Sequence, residues 1–260
     1  MNSFSVEGKH ILVTGATGYL GSKLAVSLAE KGAHVYINSR TLANCSDLAA
    51  RINSSGGRAT IACFDVTNRC EIEKFAKDIK VLDVLINNSY SGQGGTTETS
   101  KEEDYLDSYK TSVVAASSLL QILLPSLREA VKLNGFASVI NIASMYGLVS
   151  PDQSIYSSAE GTNPPFYGAA KSALIQWTKY AACEFAKENI RINSISPGPF
   201  PTINTQETMP DLVEKIVKKV PMGRVGKQEE LVGPVVFLSS EASSFVTGAN
   251  LIVDGGWTCW

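Results

Sequence analysis

Tyr167 and Lys171 stand four residues apart in a stretch whose pattern predicts a helix from about Phe166 to Lys187, so their side chains share one face. An ammonium beside a phenol favours the phenolate and draws the tyrosine pKa down from its usual value of about 10. Such a phenol is a candidate general acid/base for an alcohol or carbonyl oxygen. Ser144 directly follows a predicted strand at Ala137–Ala143, and its hydroxyl could hold the same oxygen. Tyr-x-x-x-Lys spacing alone arises readily by chance. The conjunction of the three residues with a nucleotide-type turn carries the chemistry.

That turn is Thr14-Gly15-Ala16-Thr17-Gly18-Tyr19-Leu20-Gly21, between a predicted strand at His10–Thr14 and a predicted helix at Gly18–Lys31. Glycines there permit a tight bend and close approach of backbone to a pyrophosphate. The helix N-terminus offers unpaired N–H groups to the anion. A packing device is the plain alternative. The second strand ends in Asn38-Ser39-Arg40, where many NAD-binding chains place an acid for the ribose 2′-hydroxyl. A hydroxyl beside a guanidinium suits a 2′-phosphate better, which favours NADP over NAD. Arg40 could equally be a solvated loop residue. Asp65 either accepts from an adenine amino group or caps the helix that starts near Asn68.

The elements that must position these residues alternate along the chain. Apolar runs predict strands at 10–14, 33–38, 58–63, 83–87, 137–143, 190–195 and 250–253. Helical patterns lie between them, including Glu102–Ala130, which Pro125 bends or ends, Asp211–Lys219 and Gln228–Ser239. This alternation predicts an α/β fold: a doubly wound parallel sheet of about seven strands with helices on both faces, in a single domain over 1–260. Ligands in such sheets sit outside the carboxyl ends of the strands. Two polar stretches, Ser89–Ser100 and Ser150–Pro165, read as loops.

Composition narrows the partners. The 260 residues are 44% hydrophobic and 18% charged, with a net charge of -2, which gives no pull towards nucleic acid or anionic lipid. Apolar runs are short, so no membrane span is expected. The polar start of the chain lacks the apolar core of a leader, so the expectation is a cytoplasmic protein. Cys45, Cys63, Cys70, Cys183 and Cys259 form no Cys-x-x-Cys pair and read as buried small hydrophobes. His10 and His34 each open a predicted strand and read as structural, which argues against a histidine triad or metal site.

Taken together, the chain resembles the compact branch of the short-chain dehydrogenase/reductase family along essentially its whole length. The resemblance rests on the glycine turn, Asn87-Asn88-Ser89, Ser144, Tyr167-Gly-Ala-Ala-Lys171 and Pro197-Gly198 with Thr202. It continues through Pro221-Met-Gly-Arg224, Glu229-Glu230-Leu231, Thr247-Gly248 and Asp254-Gly255-Gly256. It implies a Rossmann-like fold that passes a hydride between a nicotinamide cofactor and an alcohol or carbonyl substrate. Tyr167 would be the acid/base, Lys171 would lower its pKa and bond the nicotinamide ribose, and Ser144 would orient the substrate oxygen. Asn88 and Ser89 would lie along the adenosine side, with Val66 beside Asp65. Pro197, Gly198, Phe200 and Thr202 would surround the nicotinamide and pyrophosphate. A homotetramer or homodimer is implied.

The sequence departs from the family pattern in four places. Tyr19 stands where the turn usually has its middle glycine, giving Gly-x-x-Gly-x-x-Gly. Ser112 occupies the position of an asparagine that normally supports a water-mediated proton relay from the lysine. Tyr90 replaces a glycine and puts bulk beside the cofactor. The interval from Ser144 to Tyr167 is longer by roughly ten residues and polar, which suggests a lid over 150–165 with Asp152, Gln153 and Glu160 as hydroxyl partners of a sugar-like or polyol substrate. A solvated loop without substrate contact is the alternative. Two other functions compete: a 3-oxoacyl-type ketone reductase, which would need an apolar pocket, and a cofactor-binding regulatory protein impaired in turnover.

Overall fold

Seven parallel strands realise the apolar runs of the sequence. The structure, a computed structural model, describes residues 3–260. The strands are β1 (His10–Val13), β2 (His34–Ser39), β3 (Arg58–Cys63), β4 (Val84–Asn87), β5 (Ala137–Ile142), β6 (Ile190–Pro197) and β7 (Asn250–Val253), in spatial order β3-β2-β1-β4-β5-β6-β7. The chain winds outward from β1 to β3, then returns to the far side of β1 at β4. The reversal opens a crevice at the carboxyl ends of β1 and β4, where an α/β sheet of this kind receives its ligand. Every residue of β4, β5 and β6 is buried, as a sheet covered on both faces requires.

The helices are α1 (Tyr19–Glu30), α2 (Leu42–Ser54), α3 (Arg69–Asp78), α4 (Glu102–Tyr109), α5 (Ala115–Asn134), α6 (Pro165–Phe185), α7 (Ile203–Thr208), α8 (Pro210–Lys219) and α9 (Val232–Ser239). Two apolar cores flank the sheet. Leu24 and Leu28 of α1, Leu48 and Ile52 of α2, and Val235 of α9 pack on one face. Ile72 of α3, Leu119, Leu123 and Leu127 of α5, and Ala181 of α6 pack on the other. His10 and His34 sit at the amino ends of β1 and β2, away from the crevice, with their rings tilted at 53° and 5.1 Å apart by centroids, and are bonded to Tyr36 and Thr60 respectively.

Several local expectations are corrected. Pro125 neither ends its helix nor marks its break: α5 runs through it to Asn134 and stops at Gly135, which takes the left-handed conformation (φ 84°). Burial of Leu119, Leu120, Leu123 and Leu127 outweighs the hydrogen bond that proline forfeits. The irregularity falls earlier, in a single π-helical turn at Lys110–Val114 joining α4 to α5, and such turns favour functional sites. The combined Glu102–Asn134 helix is long and apolar enough to cross a membrane by length and composition, unlike the short apolar runs expected. Half of its apolar window is buried within the fold, so it serves as a core helix. The expected helix at Gln228–Ser239 is a 3₁₀ turn followed by α9, and α7 was not anticipated. Of the five cysteines only Cys45 is buried; the other four are exposed thiols, because they fall on outward-facing positions of strand, helix and tail.

Candidate active site

Tight packing holds the glycine turn against β4. Gly15 adopts φ +60°, which a side chain resists. A Cβ on Gly21 would fall 2.2 Å from the Gly15 carbonyl and 2.8 Å from Asn88 Nδ2, so no larger residue lets α1 approach the turn. Gly18 caps α1, leaving first-turn N–H groups directed at the crevice. Thr14 Oγ1 donates to the Ile86 carbonyl and accepts from the N–H groups of Asn88 and Ser89. The Asn88 amide donates to the carbonyls of Thr14 and Gly15 at 2.9 and 3.2 Å. Asn38, fully inside, accepts from Gly15 N–H and donates to the carbonyls of Ala62 and Phe64.

This clamp borders a cavity of about 700 Å³, within the usual range for a small-molecule or cofactor site. The cavity is lined by the turn residues Gly15 and Thr17 to Gly21 (with Tyr19 and Leu20 among them), by Ser39 and Arg40, by Asp65 and Val66, and by Asn88, Ser89 and Tyr90. Arg40 is exposed at its rim and takes part in no ion pair among the described residues. The Ser39 hydroxyl is engaged locally, donating to the Thr41 carbonyl. Asp65 does not cap α3: Asn68 does, accepting from Glu71 N–H, while Asp65 Oδ1 takes the Thr67 N–H and hydroxyl at 2.8 Å. A tight glycine cradle, free helix N–H groups and a cationic rim together fit a dinucleotide carrying phosphate at its ribose.

Ser144, Tyr167 and Lys171 meet at the carboxyl end of β5. Ser144 opens a 3₁₀ turn and accepts from Tyr146 N–H at 3.1 Å; its hydroxyl also hydrogen-bonds the Tyr167 phenol. Lys171 is buried, donates to the Ile142 carbonyl at 2.8 Å, and lies 5.7 Å from the Tyr167 ring centroid. Burial outweighs the Ser144 hydrogen bond and pushes the Tyr167 phenol above its ordinary value, with Tyr90 adding to the rise. The expected depression by Lys171 is therefore not realised here. Desolvation instead pushes Lys171 down to about 8, weakening the charge that would stabilise a phenolate.

Tyr90 joins this trio to the cavity. Its ring packs edge-on against Tyr167 at 4.7 Å, sits 5.2 Å from the Lys171 ammonium, and its hydroxyl pairs with Ser108. Ser112 lies buried in the π turn with its hydroxyl unpartnered. Pro197, Gly198, Phe200 and Thr202 do not line the large cavity. Gly198 packs on Asp254, the Phe200 ring on Gly226, and Thr202 caps α7, all beyond the end of β6.

The 150–165 segment turns its polar side chains elsewhere than expected. Asp152 pairs with Lys219 of α8 and caps a 3₁₀ turn at Gln153–Ile155, while Gln153 and Glu160 are exposed. The inward face is apolar and aromatic: Ile155 packs with Met145, Val220 and Trp257, flanked by Tyr146 and Tyr156, whose hydroxyls bond at 3.1 Å. The loop after β4 packs directly on this segment. Gly95 N–H donates to the Thr162 carbonyl, and a Cβ on Gly94 would overlap the Glu160 carbonyl. Thr14 and Asn38 were missed because their roles depend on strand register, although a buried asparagine at a strand end was a usable signal.

Comparison with known proteins agrees with this geometry. Residues 15–258 match the family model described as Enoyl-(Acyl carrier protein) reductase. The chain is 34% identical to gluconate 5-dehydrogenase of Gluconobacter oxydans, covering 98% of this chain and 96% of that one. It is 32% identical to the rhamnolipids biosynthesis 3-oxoacyl-[acyl-carrier-protein] reductase of Pseudomonas aeruginosa, covering 98% of each. A crystal structure of a gluconate 5-dehydrogenase from Burkholderia cenocepacia, in complex with NADP and tartrate, superposes with a TM-score of 0.87 at 27% identity over 100% of this chain and 98% of that one.

Proposed function

Because the chain belongs to the short-chain dehydrogenase/reductase family, we propose that it is an NADP-preferring oxidoreductase that interconverts a hydroxyl and a ketone on a sugar-like or polyol compound. The observation that carries this reading is the meeting of Ser144, Tyr167 and Lys171 beside a phosphate-accepting crevice. The turn from Gly15 to Gly21 would hold the pyrophosphate and Arg40 the 2′-phosphate; when bound, the nicotinamide supplies or accepts the hydride. Ser144 donates a hydrogen bond to the substrate oxygen and fixes its place. Tyr167 hands that oxygen a proton as negative charge grows on it. A phenol kept protonated by burial is ready for this acid role, which favours the reductive direction. Lys171 then offsets the phenolate left behind.

The substrate class is supported by the gluconate-processing relatives and by the Tyr146, Tyr156 and Trp257 surface near Tyr167, since sugar C–H faces stack on aromatic rings. A second reading, reduction of 3-oxoacyl thioesters, is favoured by the apolar underside of the 150–165 segment and by the Pseudomonas aeruginosa relative. NADPH oxidation measured with 5-keto-gluconate and with an acetoacetyl thioester separates the two. Tyr167→Phe should abolish turnover while leaving NADPH binding intact; near-normal turnover in that variant refutes the acid/base assignment. NADPH binding without turnover on any ketone would favour a regulatory protein.

A homo-oligomer fits the exposed apolar side chains of Leu106, Tyr109 and Tyr180 on the long helices and of Phe245, Ile252 and Trp260 around β7. A cytoplasmic setting fits four exposed free thiols.

A further inference from the structure

Cys45 and Cys63 grip the turn that carries Arg40 from two sides. Cys45 lies in the first turn of α2 and is buried; its thiol is 3.4 Å from Ser39 Oγ and 3.8 Å from the Ser39 carbonyl. Cys63 ends β3, the edge strand, and is exposed. It is the register partner of Ser39 at the end of β2, and its thiol donates to the Arg40 carbonyl at 3.7 Å. The two thiols also hydrogen-bond each other. Burial, the neighbouring Cys45 and the Glu71 carboxylate hold the Cys63 thiol above its ordinary value.

The turn between the thiols is part of the cofactor crevice. Ser39 Oγ accepts from Thr41 N–H and donates to the Thr41 carbonyl, both at 3.2 Å. Ser39, Arg40, Thr41 and Asn44 all line the large cavity, so this wall is a short turn pinned by two S–H groups. A disulfide has no S–H to donate, and its sulfurs lie about 2 Å apart, much closer than two thiols in contact. Closing one here would take donors from Ser39 and Arg40 and draw α2 towards β3 across the turn.

We propose that Cys45 and Cys63 are a modification site for small disulfides such as oxidised glutathione, and that the Cys45–Cys63 disulfide so formed loosens the turn that would hold a 2′-phosphate. Exposure sets the order of events. Cys63, which solvent reaches, loses its proton and attacks one sulfur of the small disulfide, and the other sulfur leaves as a thiolate. Cys45, shielded from solvent, then loses its proton, attacks the Cys63 sulfur of the mixed disulfide and expels the second thiolate. Two electrons pass from the protein thiols to the small disulfide, and two protons to the thiolates released from it. The raised Cys63 thiol makes the first attack slow at neutral pH, so the site answers to a sustained redox balance rather than to a brief pulse. The effect on cofactor binding rests on the proposed role of Arg40; formation of the disulfide does not.

The test equilibrates the full chain with reduced glutathione or with excess oxidised glutathione, maps its thiols by peptide mass spectrometry, and measures dinucleotide affinity by fluorescence titration. Oxidation should yield a peptide pair joined through Cys45 and Cys63, lighter by two hydrogens, which dithiothreitol reverses. The oxidised protein should bind NADPH about tenfold more weakly than the reduced protein and NADH within about twofold, because the phosphate contact is the one disturbed. Cys63→Ser, an exposed and conservative change expected to fold, should keep its NADPH affinity in oxidised glutathione. A wild-type protein that carries glutathione on Cys63 while Cys45 remains a thiol overturns the proposal. So does a Cys45–Cys63 disulfide that leaves NADPH affinity unmoved while Arg40→Glu weakens it. If Arg40→Glu also leaves NADPH affinity unmoved, the reading of Arg40 fails and takes the effect on the cofactor with it, while the mapped disulfide upholds the modification site.

Discussion

Replacing Gly21 by alanine tests whether the turn is a phosphate cradle whose shape depends on one missing Cβ. The added carbon would lie 2.2 Å from the Gly15 carbonyl, 2.8 Å from Asn88 Nδ2 and 3.0 Å from Ala16 Cα. Two of the three are backbone atoms, so relief requires α1 or the turn to move by roughly 1 Å, judged from ordinary contact distances. Overpacking of this kind costs about 1–3 kcal/mol. Displacing the Gly15 carbonyl also loosens its bond to Asn88, adding about 1 kcal/mol. The sum, about 2–4 kcal/mol, should lower Tm by roughly 4–10 °C for a chain of this size. NADPH affinity, measured by fluorescence titration, should fall at least about tenfold, because the first-turn N–H groups of α1 move with the helix. Gly18→Ala is the internal contrast. Its Cβ would meet only the Gly15 carbonyl, at 3.3 Å, from an extended backbone at φ -78°. It should cost under about 1 kcal/mol. Equal Tm and equal NADPH affinity for the two variants would refute the reasoning.

Arg40→Glu should reverse cofactor preference, raising the Kd for NADPH by about 100-fold and leaving NADH within a few-fold, since one bidentate charge contact to phosphate is lost and replaced by repulsion. Reductive kcat should fall along a single-proton limb as pH rises through about 8, where Lys171 loses its charge; the pH–rate profile with 5-keto-gluconate reads this directly. Below that limb Lys171 is charged and the phenolate formed on Tyr167 is stabilised, so activity should be level. Asp152→Asn should leave KM for a sugar substrate unchanged, because its carboxylate is committed to Lys219 and Ser154 N–H; Tm should drop by no more than a degree or two, as expected for a half-exposed ion pair.

Much of the fold was legible because strands buried on both faces announce themselves as apolar runs, as β4 and β5 do, while the edge strands β3 and β7 leave much of their length exposed or half-buried. The shared face of Tyr167 and Lys171 on α6 was legible from their four-residue spacing. What the pair does to its own acidity was not, because burial depends on Tyr90 and on the sheet behind it. The 150–165 segment was misread for a similar reason. Its polar residues dominate the composition, yet Ile155 and Tyr156 turn inward and Asp152 is drawn to Lys219, which decides which way the others face. The π turn at Ser112 has no local signature; it follows from how α4 and α5 meet α6. Asn38 and Thr14 look like ordinary strand residues until register brings Val13 opposite Ile86 and lays the turn against Asn88.

The bond from Gly95 N–H to the Thr162 carbonyl, with Gly94 seated on Glu160, ties the loop that borders the crevice to the 150–165 segment. Two segments fastened in this way are coupled. A ligand that settles the first also removes part of the entropy cost of settling the second. Thermodynamic reciprocity then makes the help mutual: a substrate should tighten NADPH by the factor that NADPH tightens the substrate.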